Sequence, residues 1–102
     1  MTTLIGRNNK PGHELLKSLA DETRLAIIRQ LLDGPRSVQE LNTLLGVEQT
    51  LFSHHLKILR QTGLVVSKRS GKRVIYQLAA GVRSLSQQKT PALDLGCCKL
   101  EF

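Results

Sequence analysis

Thiols and aromatic rings are scarce in this chain of 102 residues. Its only cysteines are the adjacent Cys97 and Cys98, too few and too close to build the disulfide framework of a small secreted domain. Three aromatics, Phe52, Tyr76 and Phe102, do not make the stacking platforms that single-stranded nucleic acids require. No apolar run approaches the roughly eighteen residues of a spanning helix. No N-terminal segment combines the basic, apolar and small-residue parts of a secretory signal. The expectation is a soluble, cytoplasmic protein with no membrane role. Three histidines, two of them adjacent, and singly scattered carboxylates offer no nucleophile–base pair and no acid cluster, so an enzyme is not expected.

Acidic residues are missing from one whole region. Residues 1–48 hold six bases and six acids and are neutral overall. Residues 49–93 hold eight bases (Lys57, Arg60, Lys68, Arg69, Lys72, Arg73, Arg83, Lys89) and no acid. Residues 94–102 carry Lys99 against Asp94 and Glu101, which completes the net charge of +7. A solvated basic face is the usual meaning of a charge run, but soluble surfaces normally mix the two signs. A stretch of 45 residues without a carboxylate points to a polyanionic partner, nucleic acid first.

What is present reads as a succession of helices. Residues 1–10 are polar and unpatterned and are expected to form a mobile arm. Pro11-Gly12 starts a short helix with Leu15, Leu16 and Leu19 on one side. Asp21 can cap a second helix whose Leu25, Ile28 and Leu32 follow helical spacing, widened by Ala26, Ile27 and Leu31. Gly34-Pro35 ends it. Ser37-Val38-Gln39-Glu40 has the form of a capping box, opening a third helix that buries Val38, Leu41, Leu44 and Leu45 and stops at Gly46. A turn of Gly46, Val47 and Glu48 leads to a fourth helix from about Gln49 to Thr62, capped by Gly63. Two helices joined by a tight glycine-containing turn are a helix-turn-helix. Two β-branched runs follow, Leu64–Lys68 and Val74–Leu78, around Arg69-Ser70-Gly71-Lys72, a hairpin signal. The expected fold is mainly α with a β-hairpin wing, a winged helix-turn-helix. It divides into the arm (1–10), the DNA-binding domain (11–78) and a C-terminal segment (79–102) for dimerisation and a candidate sensory role.

The fourth helix has two faces. Phe52, Leu56 and Leu59 share one side, while Gln49, Thr50, Ser53, His54 and Lys57 lie opposite. A recognition helix needs this pattern, because its N-terminal half presents hydrogen-bonding side chains to base edges in the major groove. An ordinary amphipathic helix has the same period but does not require an exposed face free of acids. His54 and His55 are adjacent and diverge by about 100°; two metal ligands on one helix usually stand at i, i+4. His54 therefore faces outward, and His55 is expected to be a packing or bridging histidine. Lys68, Arg69, Lys72 and Arg73 crowd the hairpin tip and suit phosphates of the backbone or a minor groove.

From Leu19 to Leu78 the chain resembles the ArsR/SmtB family of bacterial metal-responsive winged-helix repressors. The resemblance rests on Leu19-Ala20-Asp21-Glu22-Thr23-Arg24-Leu25 and Leu45-Gly46-Val47. It continues through Ser53-His54-His55-Leu56-Lys57-Ile58-Leu59-Arg60 and Thr62-Gly63-Leu64-Val65. It implies a homodimer built from the first helix and the segment after the wing, and binding to an inverted-repeat operator in double-stranded DNA. Release on binding an inducer is implied as well. Recognition helices in such a dimer meet successive major grooves about 34 Å apart.

The departures bear on the signal. The arsenic-sensing branch carries a Cys-Val-Cys motif where this chain has Ser37-Val38-Gln39-Glu40-Leu41, so that thiol site is missing. Zinc- and nickel-type members use Asp and His on a helix after the wing. Here no histidine follows Leu78, and the only late carboxylates are Asp94 and Glu101. Leu51 puts an apolar side chain early in the recognition helix, where a small polar residue is common. The only soft ligands are Cys97 and Cys98, a candidate site for arsenite or a soft divalent metal ion. Thiol oxidation and a purely structural role are the competing readings. The alternative to an inducible repressor is a winged-helix module for DNA, RNA or protein contact with no inducer site. Salt dependence combined with sequence preference separates these.

Overall fold

A computed structural model of the chain describes residues 12–85, 91–95 and 99–101. The expected arm, 1–10, lies outside the described residues. Helix α1 (Gly12–Ser18) leads into α2 (Glu22–Leu31). Asp21 starts α2 by accepting from the backbone N–H groups of Thr23 and Arg24 at 2.8 and 3.0 Å, which satisfies two otherwise unpaired donors. A two-residue strand, β1 (Arg36–Ser37), precedes α3 (Val38–Leu45) and α4 (Gln49–Gln61). The hairpin is β2 (Val65–Ser70) and β3 (Arg73–Leu78), antiparallel in the register Val65↔Leu78 to Ser70↔Arg73. That register leaves Gly71 and Lys72 as the turn, with Gly71 at φ +62°, a conformation costly for residues with a side chain. Strand β1 adds to β3 through Arg36↔Tyr76 and Ser37↔Ile75, so the wing is a three-stranded sheet in the order β1-β3-β2.

The expected winged helix-turn-helix is the observed one, with two additions. The first is the pairing of β1. The second lies beyond the wing, where β4 (Arg83–Leu85), β5 (Pro91–Asp94) and β6 (Lys99–Glu101) form an antiparallel sheet in that order. Arg83 Nε donates to the Leu32 carbonyl at 2.8 Å, and the Asp94 N–H to the Val82 carbonyl at 2.7 Å. Val82, Leu93 and Leu95 are buried and join one core with Ile27, Leu41 and Phe52. Leu15 and Leu19, expected on a dimer face, are 2 % and 6 % exposed within the single chain. The described part of the tail therefore closes this core rather than standing apart from it. Among the described residues no helix is long and apolar enough to cross a membrane.

Candidate nucleic-acid interface

The helix-turn-helix is fastened at each joint by short-range hydrogen bonds. The Ser37 hydroxyl accepts from the Glu40 N–H at 3.0 Å and the Glu40 carboxylate from the Ser37 N–H at 2.9 Å, the reciprocal box its sequence predicts. Those bonds, first of all the Ser37 N–H, hold the Glu40 carboxyl below its ordinary range. Gly46 ends α3 at φ +63°, a left-handed position that glycine accepts without strain. Asn42 Nδ2 donates across the turn to the Val47 carbonyl at 2.9 Å.

Glu48, expected only as a turn residue, is the cap of α4. Its carboxylate accepts from the N–H groups of Thr50 and Leu51 at 2.9 and 3.0 Å. Those bonds, Thr50 first, lower its pKa. The charge at the helix N-terminus is thus an anion locked onto the positive end of the helix. At the other end the Leu64 N–H reaches the Leu59 carbonyl at 3.2 Å and the Gly63 N–H the Arg60 carbonyl at 3.1 Å. That crossed pair is a Schellman ending.

On α4, Phe52, His55, Leu56 and Leu59 are buried. Gln49, Thr50, Ser53, His54 and Lys57 are all exposed, as their spacing predicts. His55 is 6 % exposed and faces α2. Arg24 Nη1 stands 3.1 Å from His55 Nδ1, and Asp21 Oδ1 3.8 Å from His55 Nε2. A guanidinium can only donate, so a hydrogen bond on this contact has Nδ1 as its acceptor. Arg24 Nε also donates to the Ser18 carbonyl at 2.6 Å. One arginine thereby ties the end of α1, the start of α2 and the middle of α4 together. The expected bridging histidine is this one, while His54 is exposed beside it with ring centroids 6.0 Å apart.

Between α3, α4 and β3 runs an open groove of about 620 Å³. Phe52 and Leu56 are among its apolar lining; Gln39 and Asn42 from α3, Gln49, Ser53 and Arg60 from α4, and Lys72 and Arg73 from the hairpin are among its polar lining. No lining residue is acidic. The structure therefore brings Gln49, Ser53, Lys72 and Arg73 together across one groove. Thr50, His54 and Lys57 continue that surface round α4, outside the groove lining. Lys68 and Arg69 are exposed on β2, opposite Ile75 and Val74 of β3. Successive strand residues point to opposite faces, so these two cations divide between the two sides of the wing. Arg60, like Gln39 and Asn42 of α3, lines the groove without being among the expected site residues. Its signal was present, since positions 49, 53 and 60 fall on one helical face.

Cys97 and Cys98, the candidate soft-ion ligands, lie outside the described residues. Among the described residues, no three side chains of metal-ligating type come together.

The description "bacterial regulatory protein, arsR family" matches residues 21–67. The chain is 50% identical over 66 residues to the HTH-type transcriptional repressor SmtB of Mycobacterium tuberculosis, covering 65% of this chain and 49% of that protein. It is 39% identical over 74 residues to the transcriptional activator HlyU of Vibrio cholerae, covering 72% of this chain and 68% of HlyU. The structure of reduced HlyU superposes with a TM-score of 0.65 at 40% identity, over 68% of this chain and 73% of that one. The homodimeric winged helix-turn-helix domain of Mb0332 from Mycobacterium bovis gives 0.63 at 35%, over 67% and 63%. The chain spans about half the length of the first curated relatives it matches.

Proposed function

Since this chain belongs to the arsR family of bacterial regulatory proteins, we propose that it is a non-enzymatic, sequence-specific regulator of transcription that binds double-stranded DNA as a homodimer. The observation that carries this reading is the acid-free groove and the exposed face of α4 that continues it. Gln49, Thr50, Ser53, His54 and Lys57 meet base edges and nearby phosphates in the major groove; Lys68, Arg69, Lys72 and Arg73 grip the flanking backbone. The operator is an inverted repeat, because a two-fold protein reads two-fold DNA. Repression, the activity in SmtB's name, is the regulatory sense proposed here.

The homodimeric relative supports the dimer. Leu15 and Leu19 are occupied in the chain's own core, which leaves Leu16, 39 % exposed, as the apolar contribution of α1. The C-terminal segment is proposed to supply the rest. Leu16→Lys is expected to shift sedimentation towards the monomer with the fold unchanged. Truncation at Leu78 is a poor test of dimerisation, since it would also remove Val82, Leu93 and Leu95 from the core. An inducer of soft-ion character, arsenite or a soft divalent metal ion, would use Cys97 and Cys98, the only thiols.

Selection from a random duplex pool tests the central reading. Enrichment of an inverted repeat, with affinity falling steeply as salt rises, is the expected result. A steep salt slope with no enriched sequence would overturn specific recognition.

A further inference from the structure

Leu51 stands in the first turn of α4 and is 48 % exposed, although the buried face of that helix is already supplied by Phe52, His55, Leu56 and Leu59. Three and four residues along the helix stand His54, exposed, and His55, buried, while Glu48 and the part-buried Val47 precede it by three and four. Among the described residues, the other large exposed apolar side chains, Leu16, Leu44 and Val66, belong to α1, α3 and β2. Leu51 is thus an exposed leucine at the edge of the polar and basic face of α4. A lone leucine is too small to form a protein-docking patch. It matches the unit by which an apolar side chain reads a base, one methyl group in the major groove.

The backbone holds it there. The Leu51 N–H is one of the two that the Glu48 carboxylate caps, at 3.0 Å, so Leu51 is fixed in the helix from its first turn. First-turn side chains are those a recognition helix carries nearest the base edges. The nearby Glu48 carboxylate is turned onto the backbone by the same cap.

We propose that Leu51 is a specificity-determining residue that packs on the C5-methyl group of a pyrimidine in the major groove, thymine in unmodified DNA. The inference rests on the DNA-reading function proposed above and adds an apolar contact to its polar ones. Covering one methyl group is worth about a four-fold change in affinity.

The test uses the full chain and the operator selected with it. Each thymine of one half-site is replaced in turn by deoxyuridine, which removes only the methyl. One such position is expected to lower wild-type affinity about four-fold. At that position Leu51→Ala binds the two operators within a factor of about two, and Leu51→Met keeps part of the difference. Thermal melting checks that both variants are folded. Placing cytosine or 5-methylcytosine at the same position separates the two sources of the methyl. Tighter binding to the methylated form extends the contact to both pyrimidines, and no gain restricts it to thymine. A selected operator in which no deoxyuridine substitution costs more than about two-fold overturns the role of Leu51 while leaving the DNA-reading function standing. The same follows from equal losses in wild type and Leu51→Ala. Failure to select any operator overturns the function itself, and this proposal with it.

Discussion

Residues 21–48 and residues 49–78 are built from similar side chains put to opposite uses. In the first region polar groups turn back onto the backbone or onto each other. Asp21, Ser37, Glu40 and Asn42 each complete a cap or a turn, and Arg24 binds Ser18 and His55. In the second, Gln49, Ser53, Lys57, Lys68, Lys72 and Arg73 are all exposed and that stretch of chain holds no carboxylate. A polar side chain spent on a helix end fixes shape and is unavailable to a partner. One left exposed among like charges gains most when an anion arrives. The first region is a platform and the second a surface.

Four tests would break or sharpen that division. The largest effect is expected where the second region contributes to the platform. Phe52, 1 % exposed on the buried face of α4, should cost about 3–5 kcal/mol of stability when changed to Ala, read as a lower urea midpoint. A midpoint close to wild type would mean that α4 is not anchored through this side chain. Next come the groove residues. Gln49→Ala and Ser53→Ala should each cost about 1–3 kcal/mol at the selected operator and less on unrelated duplexes, with melting unchanged. Equal losses on every duplex would reassign them to phosphate contact.

Smaller still are the hairpin cations. Lys72→Ala and Arg73→Ala should weaken all duplexes alike and each flatten the slope of log affinity against log salt by about one. An unchanged slope would put the wing off the DNA. The smallest effect belongs to the platform's caps. Asp21, Glu40 and Glu48 are held below their ordinary carboxyl values, in each case first by a backbone N–H donated to the carboxylate. A lowered folded pKa contributes stability that is fully present above the unfolded value. Stability should therefore be complete above pH 4.5, the ordinary glutamate value, and decline as pH falls through the lower folded values. Urea midpoints that stay level from pH 6 to pH 3 would show that these caps do not matter to the fold.

The parts of this protein that were legible in the sequence are those whose cause lies within a few residues. Ser37 and Glu40 are three apart, Phe52, Leu56 and Leu59 repeat at helical spacing, and Gly71 marks its own turn. Glu48 shows where a local rule misled. Glutamate is not a favoured capping residue, so its type points to a turn, although its carboxylate reaches two backbone N–H groups. Arg60 was missed for a different reason. It lies on the face of Gln49 and Ser53, but its presence in the groove depends on where the hairpin folds down.

By itself, then, the sequence determined the helices, the caps at Asp21 and Ser37, the hairpin and its turn, the buried and exposed sides of α4, and the absence of acids from its outer face. Each follows from backbone satisfaction or hydrophobic period over one or two turns of chain. Only the tertiary structure decided that Arg36 pairs with Tyr76, that Arg83 reaches the Leu32 carbonyl, and that Leu15 and Leu19 serve the chain's own core. It also decided that α4 and the hairpin enclose one groove. Those contacts join residues tens of positions apart, and no local propensity or spacing encodes them. They form because the apolar faces of separate elements must share a single buried volume, which fixes where everything attached to those faces comes to stand.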